Sequence, residues 1–408
     1  MENELKAKAP SFRWLMLGVG TVVLLVLGSL YAWSTYRGTL CDEFGWTASS
    51  AQLTFSICMM TFCLGGLFSG IVSKKIGIKI PAVLSAVLMA AGLIMASKIG
   101  SLGGLYVSYG VLYGFGVGIG YNVVMGTVVK WFPDKTGLAS GILLFGFGIS
   151  ALIVGRAGAG LINSIGWRSM FMYFGIVFGI IVLVLGFFIT PATAKDIEGF
   201  KTGASSKSAP YAEKNFAGML KDRNFWFILI WVITLSAAGL VIVGNSAPFA
   251  QIITGSLESA ATIAGIVSVC NGFGRILFGS LFDAKGFRFE MTTVIITFVV
   301  ATAVLLAANA TGSTAVLILA FVIAGFAYGG VTPTVSACAA KFYGNQNYPL
   351  NLSIFNCNLI VASYLPMVAT SLLDKSGSYV GPFIYVLILS VVAFAALLFV
   401  KAPKTDAK

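Results

Sequence analysis

The chain contains no histidine. That removes the commonest metal ligand and the commonest proton shuttle of neutral pH. Charge is scarce: 10% of the 408 residues are charged and only 14 are acidic. A soluble domain carries roughly 25% charged residues. No Asp or Glu falls in the interior of any segment that reads as spanning a membrane. The nearest, Glu258, stands with Asp42 and Glu43 on the outer face. The six cysteines (Cys41, Cys58, Cys63, Cys270, Cys338, Cys357) form no CxxC pair, and five lie in apolar runs. They read as small buried hydrophobes rather than as a metal site or disulfide framework. The longest polar stretch, residues 192–223, is too short for the soluble output domain of a sensor or receptor. No nucleophile–base constellation is recognisable, so an enzyme is not expected, and no cofactor or metal is implied.

Apolar residues are abundant, at 58% with a mean hydropathy of +0.94. Lipid is the expected solvent. Apolar runs of 18 or more residues recur along the chain and predict helical spans. Twelve are read, near 13–36, 50–73, 80–99, 104–130, 137–162, 168–191, 225–249, 257–282, 291–310, 313–340, 350–372 and 377–400. The fold class is therefore an all-α membrane protein. The 48 glycines suit close helix–helix approach. No signal-peptide cleavage pattern is evident near MENELKAKAPSFR, so the first run reads as a retained anchor.

The net charge of +12 does not point to nucleic acid, because the charges lie in short loops rather than on one basic face. Twenty of the 26 Lys and Arg residues fall in the termini, alternate loops and the 192–223 stretch. Four (Arg37, Lys98, Arg168, Lys375) fall in the other loops, and Arg156 and Arg275 remain within spans. The positive-inside rule then places both termini in the cytoplasm and predicts a multi-pass protein of the cell inner (plasma) membrane. Residues 1–191 read as one six-helix bundle, 224–408 as a second, and 192–223 as a flexible cytoplasmic linker with a short surface helix near 213–222.

Arg275 sits inside LESAATIAGIVSVCNGFGRILFGSLF. A guanidinium near the bilayer centre costs at least about 2.5–3.5 kcal/mol, and it has no carboxylate partner in sight. An unpaired buried cation is a place for an anion. This points to movement of a small organic anion across the membrane, with snorkelling or bonding to backbone carbonyls as the structural alternative.

The two halves echo each other. GIVSKKIGIK (70–79) follows span two and GSLFDAKGFR (279–288) follows span eight, the trace expected of parallel repeats. These segments resemble the repeated loop of the major facilitator superfamily. The loop-motif residues are Gly70, Gly77, Lys79, Asp134, Lys135, Gly279, Asp283, Gly286 and Arg288. Lys74 stands where that family prefers Asp. Basic residues in these loops can cap helix C-termini. The strings LGSLYAWSTYRGTL (27–40), KWFPDKTGLASG (130–141), VGNSAPF (243–249) and NGFGRILFGSLFDAKG (271–286) are similar to those of the oxalate:formate antiporter family, which includes transporters of lactate-like and pyruvate-like monocarboxylates. The resemblance covers all twelve spans and implies two six-helix bundles around a central cavity. That family's oxalate exchanger pairs the span-eight Arg with a Lys in span eleven. Here the matching stretch, NLSIFNCNLIVASYLP (351–366), has no Lys, and Asn358 and Leu359 occupy the neighbourhood. One cation suits one carboxylate, so a monocarboxylate is favoured over oxalate.

Around Arg275 the polar residues of the spans are candidate substrate contacts. Asn271 lies one turn before it on the same face and can orient the guanidinium, donate to substrate or join helices. Tyr121 and Asn122 form a mid-span polar pair after YGFGVGIG. Tyr31 lies deep in span one, whereas Trp33 and Tyr36 read as an interfacial aromatic belt. Tyr328 and Tyr385 can bond a carboxylate or pack in a core. Of Asn356 and Asn358, two residues apart, at most one faces the substrate. Arg156 reads as an interfacial snorkelling cation or as an attractor of anions to the outer vestibule. The expected function is a secondary carrier of a lactate-, pyruvate- or formate-class monocarboxylate by alternating access. Its partners are the anion, a proton or counter-anion, and the bilayer, and the protein is expected to be monomeric. An oxalate/formate exchanger, a drug or osmolyte efflux carrier and a membrane sensor are the alternatives.

Overall fold

A computed structural model describes residues 11–46, 48–201, 211–255 and 257–402. Every regular element among them is helical. In the first half these are α1 (Phe12–Leu27), continued through a 3-10 turn at Gly28–Ala32 into α2 (Trp33–Phe44), then α3 (Ala48–Ile76), α4 (Lys79–Ala96), α5 (Leu102–Leu105), a π-helical stretch Tyr106–Tyr113, α6 (Gly114–Val128) and α7 (Thr136–Phe188). Two short helices follow, α8 (Ala194–Lys201) and α9 (Phe216–Leu220). The second half holds α10 (Arg223–Thr254), α11 (Leu257–Lys285), α12 (Phe287–Thr311), α13 (Thr314–Tyr343), α14 (Tyr348–Asn356), α15 (Asn358–Ala362), α16 (Pro366–Ser376) and α17 (Val380–Phe399).

Ten helices among the described residues are long and apolar enough to cross a membrane. The expectation of twelve is met differently at two places. Spans five and six run together as α7, interrupted where Gly166 takes φ 79° and ψ 157°, values open to glycine. Span eleven is not one helix. It breaks after Asn356 and again before Pro366, whose ring excludes the carbonyl four residues back and whose nitrogen donates nothing.

The loop echo is visible as geometry. Gly77 and Gly286 both adopt positive φ, 76° and 82°, reversing the chain between consecutive helices. Just beyond, Lys79 donates to the carbonyl of Ile189 at 2.9 Å, past the end of α7. Arg288 donates to the carbonyl of Val400 at 2.6 Å, past the end of α17. In each half the basic residue that ends the motif thus satisfies an orphan carbonyl at the end of that half's last helix.

Residues 211–222 differ from a free tether. Tyr211 and Lys214 donate backbone N–H groups to the carbonyls of Lys341 and Tyr343, at 2.7 and 3.0 Å. The Glu213 carboxylate accepts from the N–H groups of Asn345 and Gln346, both at 3.0 Å. Burial pushes the Tyr211 phenol above its ordinary range. This part of the linker is a strap on the second half. The sequence hid that because the bonds are mostly backbone bonds, with one Glu among many polar residues.

The halves meet from the level of Arg275 toward the end where this strap lies, called here the linker end. The backbones of α7 and α11 cross at Gly137 and Gly279, where a methyl on Gly279 would stand 2.9 Å from the Gly137 carbonyl carbon. The Asp283 carboxylate accepts from the N–H groups of Gly137 and Leu138, at 3.0 and 2.9 Å, and so caps α7. A methyl on Gly70 would stand 2.9 Å from Leu350 Cα, and Lys74 donates to Asn347. The motif glycines of both halves, Gly70 and Gly279, thus each stand against backbone of the opposite half.

Candidate functional site

Arg275 lies midway along α11 and is 5% exposed. Its guanidinium rests over Gly148 of α7, where an added methyl would stand 2.9 Å from both Cζ and Nη1. Nε donates to Asn271 Oδ1 at 3.2 Å, and Nη1 donates to the carbonyl of Leu144 at 2.5 Å. The cation is therefore held by a side chain of its own helix and a carbonyl of the opposite half. It is not the wholly unpartnered group that sequence suggests. Nη2 has no acceptor among the described residues and is absent from their sealed, unpartnered atoms. Two nitrogens of the guanidinium are thus engaged by protein and the third is not.

Three tyrosines from three other helical segments lie in its neighbourhood. Tyr31 of the 3-10 turn, Tyr121 of α6 and Tyr328 of α13 all lie within electrostatic reach of the guanidinium. The Tyr121 hydroxyl also neighbours Asn356. An aromatic wall stands behind them. Tyr31 meets Phe147 at 5.4 Å and Phe55 at 6.4 Å between ring centres, and Tyr121 meets Phe62 and Phe147, each at 5.2 Å. The Tyr328 ring lies flat against Gly239 of α10, leaving no room there for a side chain. A buried guanidinium, three phenols and an apolar wall are chemically suited to a small anion with a short carbon body.

Other sequence candidates lie apart. Asn122 donates to the carbonyl of Pro349 at 2.6 Å and to Ser353 Oγ, joining α6 to α14. Asn358 accepts from Ser236 Oγ at 3.0 Å and donates to the carbonyl of Phe355 at 2.7 Å, within the second half. Tyr385 is half-buried on α17, and no coupling joins it to Arg275. Arg156 is exposed, as is Asp42. Glu43 pairs with Arg168 at 3.0 Å, and the side chain of Glu258 lies outside the described residues. Among the loop residues, Asp134 pairs with Arg13 at 2.8 Å, and Lys135 immediately precedes α7.

Two expectations are corrected. Trp33 and Tyr36 do not form a surface belt. The first span continues to Phe44, so both fall mid-helix, 2% exposed, packed on Tyr109 at 4.9 Å and Phe171 at 5.4 Å. The spans are also not free of carboxylates. α12 begins at Phe287, directly after the Gly286 reversal, so Glu290 is carried inside and is 0% exposed. Its Oε1 lies 2.5 Å from Thr334 Oγ1, which also contacts the carbonyl of Gly330 at 2.6 Å. A threonine hydroxyl has one proton to give. Both contacts are hydrogen bonds only when Glu290 supplies the second proton. The signal was the motif's own end: Gly286 starts a helix, so an acid four residues later cannot be in a loop. Leu144, Phe147 and Gly148 went unread because a backbone carbonyl and two residues of an ordinary apolar helix carry no chemical signature.

With this geometry established, comparison with known proteins is informative. The chain is 26% identical to the uncharacterized MFS-type transporter YhjX of Escherichia coli (strain K12) over 345 residues, 84% of this chain and 83% of that protein. It is 26% identical to the oxalate:formate antiporter of Oxalobacter formigenes over 392 residues, 95% and 91% of the two chains. Monocarboxylate transporter 10 of Danio rerio is 26% identical over 289 residues, 65% of this chain and 55% of that one. Among solved structures, the proton:xylose symporter XylE bound to 6-bromo-6-deoxy-D-glucose superposes with a TM-score of 0.71 over 97% of both chains at 16% identity, a likeness of fold. The sequence profile of the Major Facilitator Superfamily matches residues 18–366, and the chain belongs to that superfamily of multi-pass membrane transporters.

Proposed function

We propose that this transporter is a secondary carrier of a small monocarboxylate of the lactate, pyruvate or formate class. Residues 1–191 and 224–408 rock about the central site, with 192–223 as the connection. The linker end faces the cytoplasm of an inner (plasma) membrane, and the carrier acts as a monomer. The observation that carries this reading is Arg275: buried, held by Asn271 and Leu144 through Nε and Nη1, with Tyr31, Tyr121 and Tyr328 within electrostatic reach of the guanidinium. A carboxylate there completes the fork and neutralises a charge that is otherwise costly to enclose. The loaded carrier then passes through the occluded state more easily than the empty one, which favours exchange. No cofactor enters the cycle.

A second reading, exchange of oxalate for formate, is supported by the likeness to the Oxalobacter formigenes antiporter along nearly the whole chain. Two features favour the monocarboxylate. Residues 351–366 contain no Lys or Arg, and the broken span there presents Asn356, Cys357 and Asn358. A second carboxylate would find no second cation.

The test is counterflow in proteoliposomes with labelled acetate, formate, lactate, pyruvate and oxalate. Monocarboxylates are expected to exchange and to outcompete oxalate. Arg275→Gln removes a buried charge pair worth about 2–5 kcal/mol, so affinity falls about thirty-fold or more. Arg275→Lys keeps the charge without the planar fork and remains strongly impaired. Wild-type exchange by both variants overturns the reading.

A further inference from the structure

A second site lies at the linker end, with no residue in common with the Arg275 cluster. It is a cavity of about 170 Å³ whose walls come from both halves. Gly70, Ser73, Lys74, Asn122 and Lys130 line one side, and Gln346 and Pro349 the other. Two of these residues are ammonium ions, and no carboxylate is in the lining. Lys130 is half-buried and has no acceptor among the described residues. Lys74 gives one of its three protons to Asn347. The Ser73 hydroxyl is buried and also lacks a partner. Glu213 acts on Lys130 through space and makes no ion pair with it, while its two oxygens accept from the Asn345 and Gln346 amides. A half-buried ammonium, a second, exposed ammonium and a buried hydroxyl around one cavity with no carboxylate in its lining favour an anion there.

We propose that this cavity binds a phosphate group and that the bound phosphate holds the linker end closed. The choice of phosphate follows from the donors. Arg275 offers a planar fork suited to a planar carboxylate, whereas two lysines act as point charges around a compact, multiply charged oxyanion. The effect on the cycle follows from the walls. Gln346 and Pro349 stand opposite Ser73, Lys74 and Lys130 only while the halves meet at this end. A ligand that binds one conformation alone shifts the equilibrium toward it. Phosphate here therefore brakes transport from the linker side without competing for Arg275. The phosphate can be free inorganic phosphate or the headgroup of an anionic phospholipid. The inference stands whichever carboxylate the carrier moves.

The binding test is thermal unfolding of the purified full-length protein in neutral detergent. Inorganic phosphate is expected to raise the midpoint by a few degrees, where chloride at equal ionic strength does not. Lys130→Gln loses the shift, Lys130→Arg keeps it, and Arg275→Gln keeps it too. That last variant separates this site from the central one. An equal rise with chloride, or a full shift in Lys130→Gln, overturns the proposal. The functional test is counterflow in proteoliposomes. Slowing by phosphate in phosphatidylcholine vesicles, abolished by Lys130→Gln, supports free phosphate as the source. Slowing by phosphatidylglycerol alone, equally abolished, supports the headgroup. No slowing in either vesicle overturns the brake.

Discussion

At the scale of single residues, the proposed transport site is expected to depend on one glycine as much as on its arginine. Gly148 is where the guanidinium lies, and Gly160, further along α7, has open space around its would-be methyl. Gly148→Ala is expected to push Arg275 off the Leu144 carbonyl. Overpacking of this kind costs about 1–3 kcal/mol, a loss of about five-fold or more in anion affinity. Gly160→Ala is the matched control and should change nothing. Half-saturation concentrations from counterflow decide the matter, and equal behaviour of the two variants removes Gly148 from the site. The arginine itself was legible in the sequence because a permanent charge in an apolar run has few innocent explanations. Its environment was less so. Tyr31, Tyr121 and Tyr328 are separated by about 90 and 200 residues along the chain, and only the fold brings them to one point. Asn122 and Asn358 looked equivalent to Asn271 as mid-span amides, yet the Asn122 amide nitrogen and the Asn358 side chain join helices. Composition cannot separate an amide that faces a ligand from one that ties two backbones together.

At the scale of the helix, the crossing of α7 and α11 is the narrowest joint between the halves. Gly137 and Gly279 allow backbone contact, and Asp283 ties the start of α7 across the joint. Gly279→Val would place branched carbons against the Gly137 carbonyl, a cost borne only when this end is closed. The closed population should fall. Spin labels at Lys135→Cys and Lys285→Cys, on a background without the six native cysteines, report it directly. The distance distribution is expected to move to longer values in Gly279→Val, and an unchanged distribution would show that the joint tolerates the wedge. Helix periodicity located ten of the spans well. It failed at span eleven because hydropathy counts apolar residues and is blind to where their backbone turns, here at Cys357 and before Pro366. It also began span nine too late, since a Phe-Arg-Phe-Glu start disguises a helix whose first turn already buries Phe287 and Glu290.

At the scale of the whole molecule, the coupling follows from which charges can be left alone. Arg275 without an anion is the species hardest to enclose, so the proposed exchanger should respond to what is inside the vesicle. Uptake into proteoliposomes loaded with unlabelled anion is expected to exceed uptake driven by an imposed pH gradient into empty vesicles. Strong pH-driven uptake that Glu290→Gln abolishes would reverse this and assign the proton to the one acid fully enclosed among the described residues. The two-half plan was readable from the repeated loop, but the repeat's purpose was not. Lys79 and Arg288 each fasten the beginning of a half's third spanning helix to the end of its last. Their consequence reaches back to the birth of the chain. Each fastening uses atoms of its own half alone, so the first half can close on itself while the ribosome is still making the second. Two separately synthesised pieces, 1–201 and 211–408, should therefore find each other in the membrane and co-purify through a tag on either one.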